Sequence, residues 1–303
     1  MSLFRNLIAS FQRDLNINSN HEKLVASLMV LAWVVEARDP YTGGHLWRVS
    51  KFSNLLANKS GLNKKEIASV TIGGFLHDIG KIGIPDAILN KKDSLTDEEY
   101  QIIKTHPELG RRMLSVHPLH HLALEAIYMH HETPNGKGYP QGLTSNRIPV
   151  AAKIVGICDA FDAMTSTRPY RSGMPVEKAI NIIRSNLGIQ FDGLYGEYFL
   201  SLANEDSLSS IVGHTNEGIP IHDCLICGPT VELNKESKIG HNVYCNACSA
   251  EYVLVDKIKG FQFTLKPTGK KGDPTKTTTK PDESLIAKII KDSSFLISKE
   301  LLI

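Results

Sequence analysis

The 303-residue sequence predicts an all-α domain followed by a small β-rich module and a terminal amphipathic helix. Three observations carry that reading. Apolar residues recur at three- and four-residue spacing through most of residues 22–203, the signature of helices with one buried face. Four of the five cysteines form two Cys-x-x-Cys pairs inside residues 220–256. The last twenty residues regain Leu285, Ile286, Ile289, Ile290, Phe295, Leu296 and Ile297 at helical spacing.

The elements follow in order. Residues 1–21 form an N-terminal segment in which Arg5, Arg13 and Asp14 interrupt the apolar residues, which argues against a secretory leader. The stretch 24–35 is strongly apolar but only twelve residues long, short of the roughly 20 that a membrane helix needs, so it is expected to be a buried helix. Leu46, Val49, Phe52, Leu55 and Leu56 mark the next helix, which Gly61 closes. Thr96 with Glu99 makes a capping box, Pro149 starts a further helix, and Val176, Ala179, Ile180 and Ile183 mark another. Together these set a helical domain over residues 22–212. Short β-type runs then surround the cysteines, at Val231-Glu-Leu and Tyr252-Val-Leu-Val. Residues 257–282 are rich in Lys, Thr, Gly and Pro and read as a flexible linker, since so little apolar surface cannot offset the entropy of ordering. Residues 283–303 complete the chain as a helix that needs a surface to cover, on its own domain or on a partner.

A net charge of +2, with 42% hydrophobic and 22% charged residues, gives no sign of the clustered basic surface that binding to nucleic acid or a membrane usually shows. Paired cysteines suit metal ligation in a reducing compartment better than disulfides, so the cytoplasm is expected. Cys224-x-x-Cys227, seventeen residues, then Cys245-x-x-Cys248 has the spacing of a four-thiolate zinc site. Such a closed site is structural, replacing the core that a small module lacks.

The helical domain holds His45, His77-Asp78, His106, His130-His131 and Asp159. Any one of these is an ordinary residue; together, neutral imidazoles and carboxylates are ligands for borderline divalent metals. Their order and surroundings resemble the HD-GYP family of HD phosphohydrolases over roughly residues 22–205. Glu36-Ala-Arg-Asp-Pro-Tyr-Thr-Gly-Gly-His45 is similar to the first family motif, and Leu76-His77-Asp78-Ile-Gly-Lys81 to the central one. Lys104-Thr-His106-Pro comes next, then His130-His131-Glu-Thr-Pro-Asn-Gly-Lys-Gly138-Tyr139-Pro140, which carries the signature that gives the family its name. Cys158-Asp159-Ala-Phe-Asp162 and Arg168-Pro-Tyr-Arg171 complete the set.

The resemblance implies an HD-type helical bundle with a binuclear site in which His45, His77, Asp78, His106, His130, His131 and Asp159 ligate two ions, iron or manganese, with Asp78 as the bridge. Some members hold a third ion with a glutamate four residues before the first histidine. Here Tyr41 stands there, so two ions are expected, with Glu36 able to approach from the preceding helix. The implied activity is hydrolysis of cyclic di-GMP to pGpG and onward to GMP by a metal-activated hydroxide. The same chemistry on another cyclic dinucleotide such as cyclic GMP-AMP, or a sensor that binds the nucleotide without turnover, remain open alternatives. Lys81, one turn after His77, is placed to contact the phosphate or protonate the leaving oxygen. Arg168 and Arg171 are implied to grip phosphate oxygens, and Gly138 and Tyr139 to sit in a loop that positions substrate. That Gly138-Tyr139-Pro140 loop, the ribbon and the terminal helix are the expected contacts for a protein partner. Asp162, one turn after Asp159, is the carboxylate expected to orient a ligand histidine. His117, His120 and His121 match no family ligand, and Cys158 reads as a core residue.

Overall fold

The computed structural model describes residues 20–39, 42–91, 93–167, 172–260, 262–273 and 286–291. Helix α1, Asn20–Glu36, is buried along most of its length through Val25, Ala26, Met29, Val30, Ala32 and Val35. Helix α2, His45–Lys59, packs on α3, Lys64–Leu76. The turn between them is fixed at both ends. Gly61 takes a left-handed φ of 72° while Leu62 N–H reaches back to Ala57 O at 3.2 Å, closing α2. A capping box of Asn63 and Glu66 then opens α3.

The chain continues through a 3₁₀ turn, Ile79–Gly83, and short helices α4, Asp86–Leu89, and α5, Asp97–Ile103, the latter capped by Thr96 and Glu99 as the sequence predicts. Helix α6, His106–Leu114, lies directly on the 3₁₀ turn: a Cβ added at Gly80 would sit 1.9 Å from His106 O. Only glycine permits that approach, which brings His106 toward Asp78. Helices α7, Leu124–Met129, α8, Val150–Thr165, α9, Val176–Ser185, and α10, Gly193–Asn204, complete the bundle. Its core centres on Phe52, Phe161 and Phe199, whose rings meet edge-to-face at 5.2 and 5.0 Å.

A β-rich module follows. Strands β1, His214–Asn216, and β2, Ile219–Pro220, form one hairpin, and β3, His222–Cys224, and β4, Gly228–Val231, a second. Strands β5, Asn242–Tyr244, β6, Ala250–Lys259, and β7, Gln262–Lys271, make an antiparallel sheet in that order. Its separate core gathers Ile219, Val231, Tyr252, Leu254 and Phe263 around Cys224 and Cys245.

This corrects the expectation of a flexible linker over 257–282 as far as residue 271, while residues 274–282 lie outside the described residues. Residues 257–259 finish β6, and β7 pairs with it as far as Ala250 opposite Lys271. Phe263 is buried and Leu265 packs beside it, while Thr264 and Lys266 face solvent. A lysine-rich strand is ordered here because the neighbouring strand supplies its backbone partners and one face its core contacts. The β-rich module therefore reaches from residue 214 to 271 rather than 220 to 256.

Residues 286–291 are helical, and Ile286, Ile289 and Ile290 enter the core of the helical domain, not that of the β-rich module. Of the two surfaces the sequence leaves open for this helix, its described part covers its own domain, while Leu285, Phe295, Leu296 and Ile297 lie outside the described residues.

Candidate metal centre

Seven side chains from five parts of the bundle converge. His45 opens α2, His77 caps the end of α3, Asp78 leads into the 3₁₀ turn, His106 opens α6, His130 and His131 follow α7, and Asp159 lies within α8. Ligand atoms of His45, His77 and Asp78, of His77, His130 and Asp159, and of His106, His130 and His131 form three groups, each within 4.8 Å. Every ligand residue that the sequence predicts is thus in one place.

The histidines are aimed by their outer nitrogens. His77 Nδ1 lies 2.8 Å from Gly74 O, His106 Nδ1 2.8 Å from Ile103 O, and His130 Nδ1 2.9 Å from Ala126 O. A carbonyl only accepts, so each Nδ1 carries a proton and each Nε2 is turned toward the centre. His45 Nδ1 instead donates to Asp162 Oδ2 at 2.8 Å, and Asp162 is itself held by Arg48 Nε at 2.5 Å. Asp78 faces both sides. Its Oδ2 is 3.6 Å from His45 Nε2 and 3.4 Å from His77 Nε2, while its Oδ1 is 3.3 Å from His106 Nε2.

Charge is arranged to match. Burial drives His106 down to about 4, His131 to about 3 and His130 well below the usual imidazole range, so all three stay neutral. Burial also opposes the charge on His77, but Asp78 and Asp159 outweigh it and raise the imidazole to about 10. For His45 burial is outweighed by Asp162 and Asp78 in the same way. Burial disfavours charge on Asp78 and Asp159 too, yet Lys81 and His77 hold the first, and His77 the second, well below the usual carboxylate range. The donor set of ionised carboxylates and inward Nε2 atoms fits borderline divalent ions.

Lys81 Nζ contacts Asp78 Oδ2 at 2.5 Å. Its turn is pinned from outside by Arg38, which donates to the carbonyls of Lys81, Ile82 and Ile84 and pairs with Asp86 at 2.6 Å. Beyond the ligands, a cleft of about 640 Å³ opens past His131, Gly138, Tyr139, Lys104 and Asp159. Tyr139 stacks on His131 with ring centroids 4.6 Å apart, and Lys104 Nζ lies 4.9 Å from the Tyr139 ring. Gly138 is required where it stands, because a Cβ there would come within 2.4 Å of Thr133 N. Arg168, Arg171 and Tyr41 lie outside the described residues.

Some residues of the site are missing from the sequence reading. Glu132 accepts from Gln141 N at 2.6 Å and Leu143 N at 2.7 Å, tying the Gly138-Tyr139 loop to the His130-His131 pair. Its place directly after two histidines and before a glycine-rich loop is the only hint. Arg48 is the other, an almost fully buried arginine one turn after His45. Glu36, at the end of α1, accepts from Leu46 N at 2.9 Å and so caps the His45 helix. His117, His120 and His121 make local contacts away from the cluster. Cys158 is fully buried, and burial pushes its thiol up.

In the β-rich module the sulfurs of Cys224, Cys227, Cys245 and Cys248 converge within 4.8 Å. Ile226 N–H points at Cys224 Sγ at 3.4 Å and Cys248 N–H at Cys245 Sγ at 3.3 Å, donors that stabilise thiolates. Burial resists charge on Cys224, but the Tyr252 hydroxyl and backbone N–H groups outweigh it and bring the thiol down to about 7. Four converging sulfurs fit a tetrahedral zinc ion.

The family model described as HD domain matches residues 29–194. The chain belongs to the HD domain family. Within that family it is 41% identical over 180 residues to a cyclic di-GMP phosphodiesterase of Thermotoga maritima, covering 59% of this chain and 49% of that protein. It is 36% identical over 194 residues to the cyclic di-GMP phosphodiesterase response regulator RpfG of Xanthomonas campestris, covering 63% and 50%. It is 35% identical over 160 residues to 3'3'-cGAMP-specific phosphodiesterase 3 of Vibrio cholerae, covering 52% and 35%. The chain thus spans half or less of the length of these HD relatives. The family match runs from within α1 to the start of α10. Among the described residues no helix is long and apolar enough to cross a membrane.

Proposed function

We propose that this chain is a metal-dependent phosphodiesterase that hydrolyses cyclic di-GMP to pGpG and then to GMP. The observation that carries the reading is Asp78, with one oxygen toward His45 and His77 and the other toward His106, in a cluster whose His130, His131 and Asp159 line a cleft of about 640 Å³. That arrangement suits a bridging carboxylate between two ions, iron or manganese by the imidazole content of the set. When bound, such ions supply Lewis acidity toward the phosphoryl oxygens and lower the pKa of a water toward 7.

The protein's own groups supply the rest. Hydrolysis adds a water oxygen to phosphorus and breaks the bond to the 3′ oxygen, which must take up a proton. The Lys81 ammonium, beside Asp78 and a quarter exposed, is assigned its delivery. Tyr139 and Lys104 offer a ring and a positive charge along the cleft for a base and a phosphate. Arg168 and Arg171 are assigned the remaining phosphate contacts by family resemblance. The cysteine module is assigned one structural zinc. Relatives specific for 3'3'-cGAMP support a second reading, the same chemistry on that nucleotide.

The test is to load the protein anaerobically with iron or manganese, incubate it with cyclic di-GMP or 3'3'-cGAMP, and separate products by chromatography beside Asp78→Ala. Linear products from wild type alone support the reading, and the faster substrate decides between the two nucleotides. An intact nucleotide despite two bound ions would instead make the chain a nucleotide sensor.

A further inference from the structure

The β-rich module meets the helical domain at the turn that leads into His45. A Cβ added to Gly43 would meet Glu232 Oε1 at 2.1 Å, and one added to Gly44 would meet Thr215 Cα at 2.6 Å and His214 O at 2.9 Å. Two successive glycines are thus placed where another segment's atoms lie against the turn. Arg48 Nη1 donates to Gly43 O at 2.8 Å and to His214 O at 2.9 Å, stapling the turn to β1 with the guanidinium that holds Asp162. On the other side Glu36 holds Leu46 N–H, so the turn is gripped from both faces.

Glu232 is in turn held by the cysteine site. Asn246 Nδ2 donates to Glu232 Oε1 at 2.6 Å, and Asn246 lies between Cys245 and Cys248. Its backbone N–H donates to Thr230 O at 3.2 Å, and Thr230 Oγ1 is 3.1 Å from Cys245 Sγ. A chain of direct contacts therefore runs from the cysteine cluster through Asn246 and Glu232 to the Gly43 turn, and His45 N–H closes that turn on Thr42 O at 2.8 Å.

We propose that Glu232 is a positioning residue for the metal centre. Fixed by the cysteine module, its side chain braces the turn over residues 42–44 and so sets where His45 Nε2 points. The proposal rests on the reading that the His and Asp cluster holds divalent ions. It gives the appended module a task in the site rather than beside it.

The test is equilibrium dialysis of the full chain, its cysteine site filled with zinc, against manganese, with both metals counted by elemental analysis. Glu232→Ala is expected to weaken manganese binding roughly tenfold or more, the usual effect of removing a group that orients a ligand, while zinc content and thermal midpoint stay at wild-type values. Glu232→Gln, which keeps the acceptor for Asn246, is expected to recover most of the affinity. Gly43→Ala disturbs the same contact from the other side while leaving the module's sequence unchanged, and should weaken binding in wild type but add little to Glu232→Ala. Wild-type affinity in Glu232→Ala with zinc retained, or additive effects of the two substitutions, would overturn the proposal. Should Glu232→Ala lose its zinc or fail to fold, unchanged affinity in Gly43→Ala overturns it alone. Failure of wild type to take up manganese sinks the metal-centre reading first, and is distinguishable because no variant is needed to see it.

Discussion

Asp162 shows how a single buried carboxylate joins two requirements. It takes the His45 Nδ1 proton on one oxygen and the Arg48 guanidinium on the other, and it is wholly out of solvent. Asp162→Asn would leave Arg48 buried without its counter-charge, at a cost of about 3–5 kcal/mol, and would weaken metal binding at His45 by roughly 10–100-fold. Denaturant midpoints and manganese dialysis read the two effects separately; a variant that loses stability but keeps affinity would assign Asp162 to the fold alone. Glu36 makes the opposite case, because burial raises it from 4.5 to about 7, and Glu232 is raised to the same level. The folded state therefore holds protons that the unfolded chain has already released. That contribution is fully present below about pH 4.5 and is lost as pH rises through 7. Chelator-treated Glu36→Gln, which keeps an acceptor for Leu46 N–H, should lose less stability than wild type between pH 5 and 8 in urea titrations. Parallel curves for the two proteins would rule this out. The members of the His and Asp cluster were legible because each is a distinctive type in a fixed motif. Glu132 and Arg48 were not, because what they bind, the amides of Gln141 and Leu143 in one case and Asp162 with two carbonyls in the other, is decided only by the tertiary fold.

At the scale of elements the helices were readable from caps and spacing, and β7 was not. Its sequence does alternate, with Phe263 and Leu265 inward and Thr264 and Lys266 outward, but lysine and threonine content hid a period of two under a composition typical of disorder. The strand is part of the cysteine module's core: Phe263 is 4% exposed beside Tyr252 and Leu254, and its N–H donates to His222 Nε2 at 3.0 Å. Phe263→Ala should cost that core about 3 kcal/mol and speed the loss of zinc to a chelator, whereas Lys266→Ala on the exposed face should change neither. Equal zinc release from both variants would return this strand to the role of a linker.

At the scale of the whole molecule the chain leaves the helical domain at β1 and comes back to it at residues 286–291. The return is apolar, with Ile286, Ile289 and Ile290 at 1%, 6% and 3% exposure in the same core as α1 and α10. Lys288 adds an ion pair to Glu217, in the turn of the first hairpin, at 2.8 Å. That pair is exposed and contributes little, so the isoleucines carry the attachment. Each buried isoleucine truncated to alanine typically costs about 2–5 kcal/mol, a large share of the roughly 5–15 kcal/mol that separates folded from unfolded domains. Ile289→Ala with Ile290→Ala should therefore lower the unfolding midpoint of the helical domain, seen as earlier exchange of α1 amides, while the cysteine site keeps its zinc. The sequence offered an amphipathic helix with two surfaces to choose from, and the choice depends on a core whose other members, up to Ile211, lie far earlier in the chain. If the double variant exchanges α1 amides at the wild-type rate, the helix is an accessory to the bundle; if exchange accelerates and zinc is retained, α1 and residues 286–291 fold as one cooperative unit beside a module that folds on its own metal.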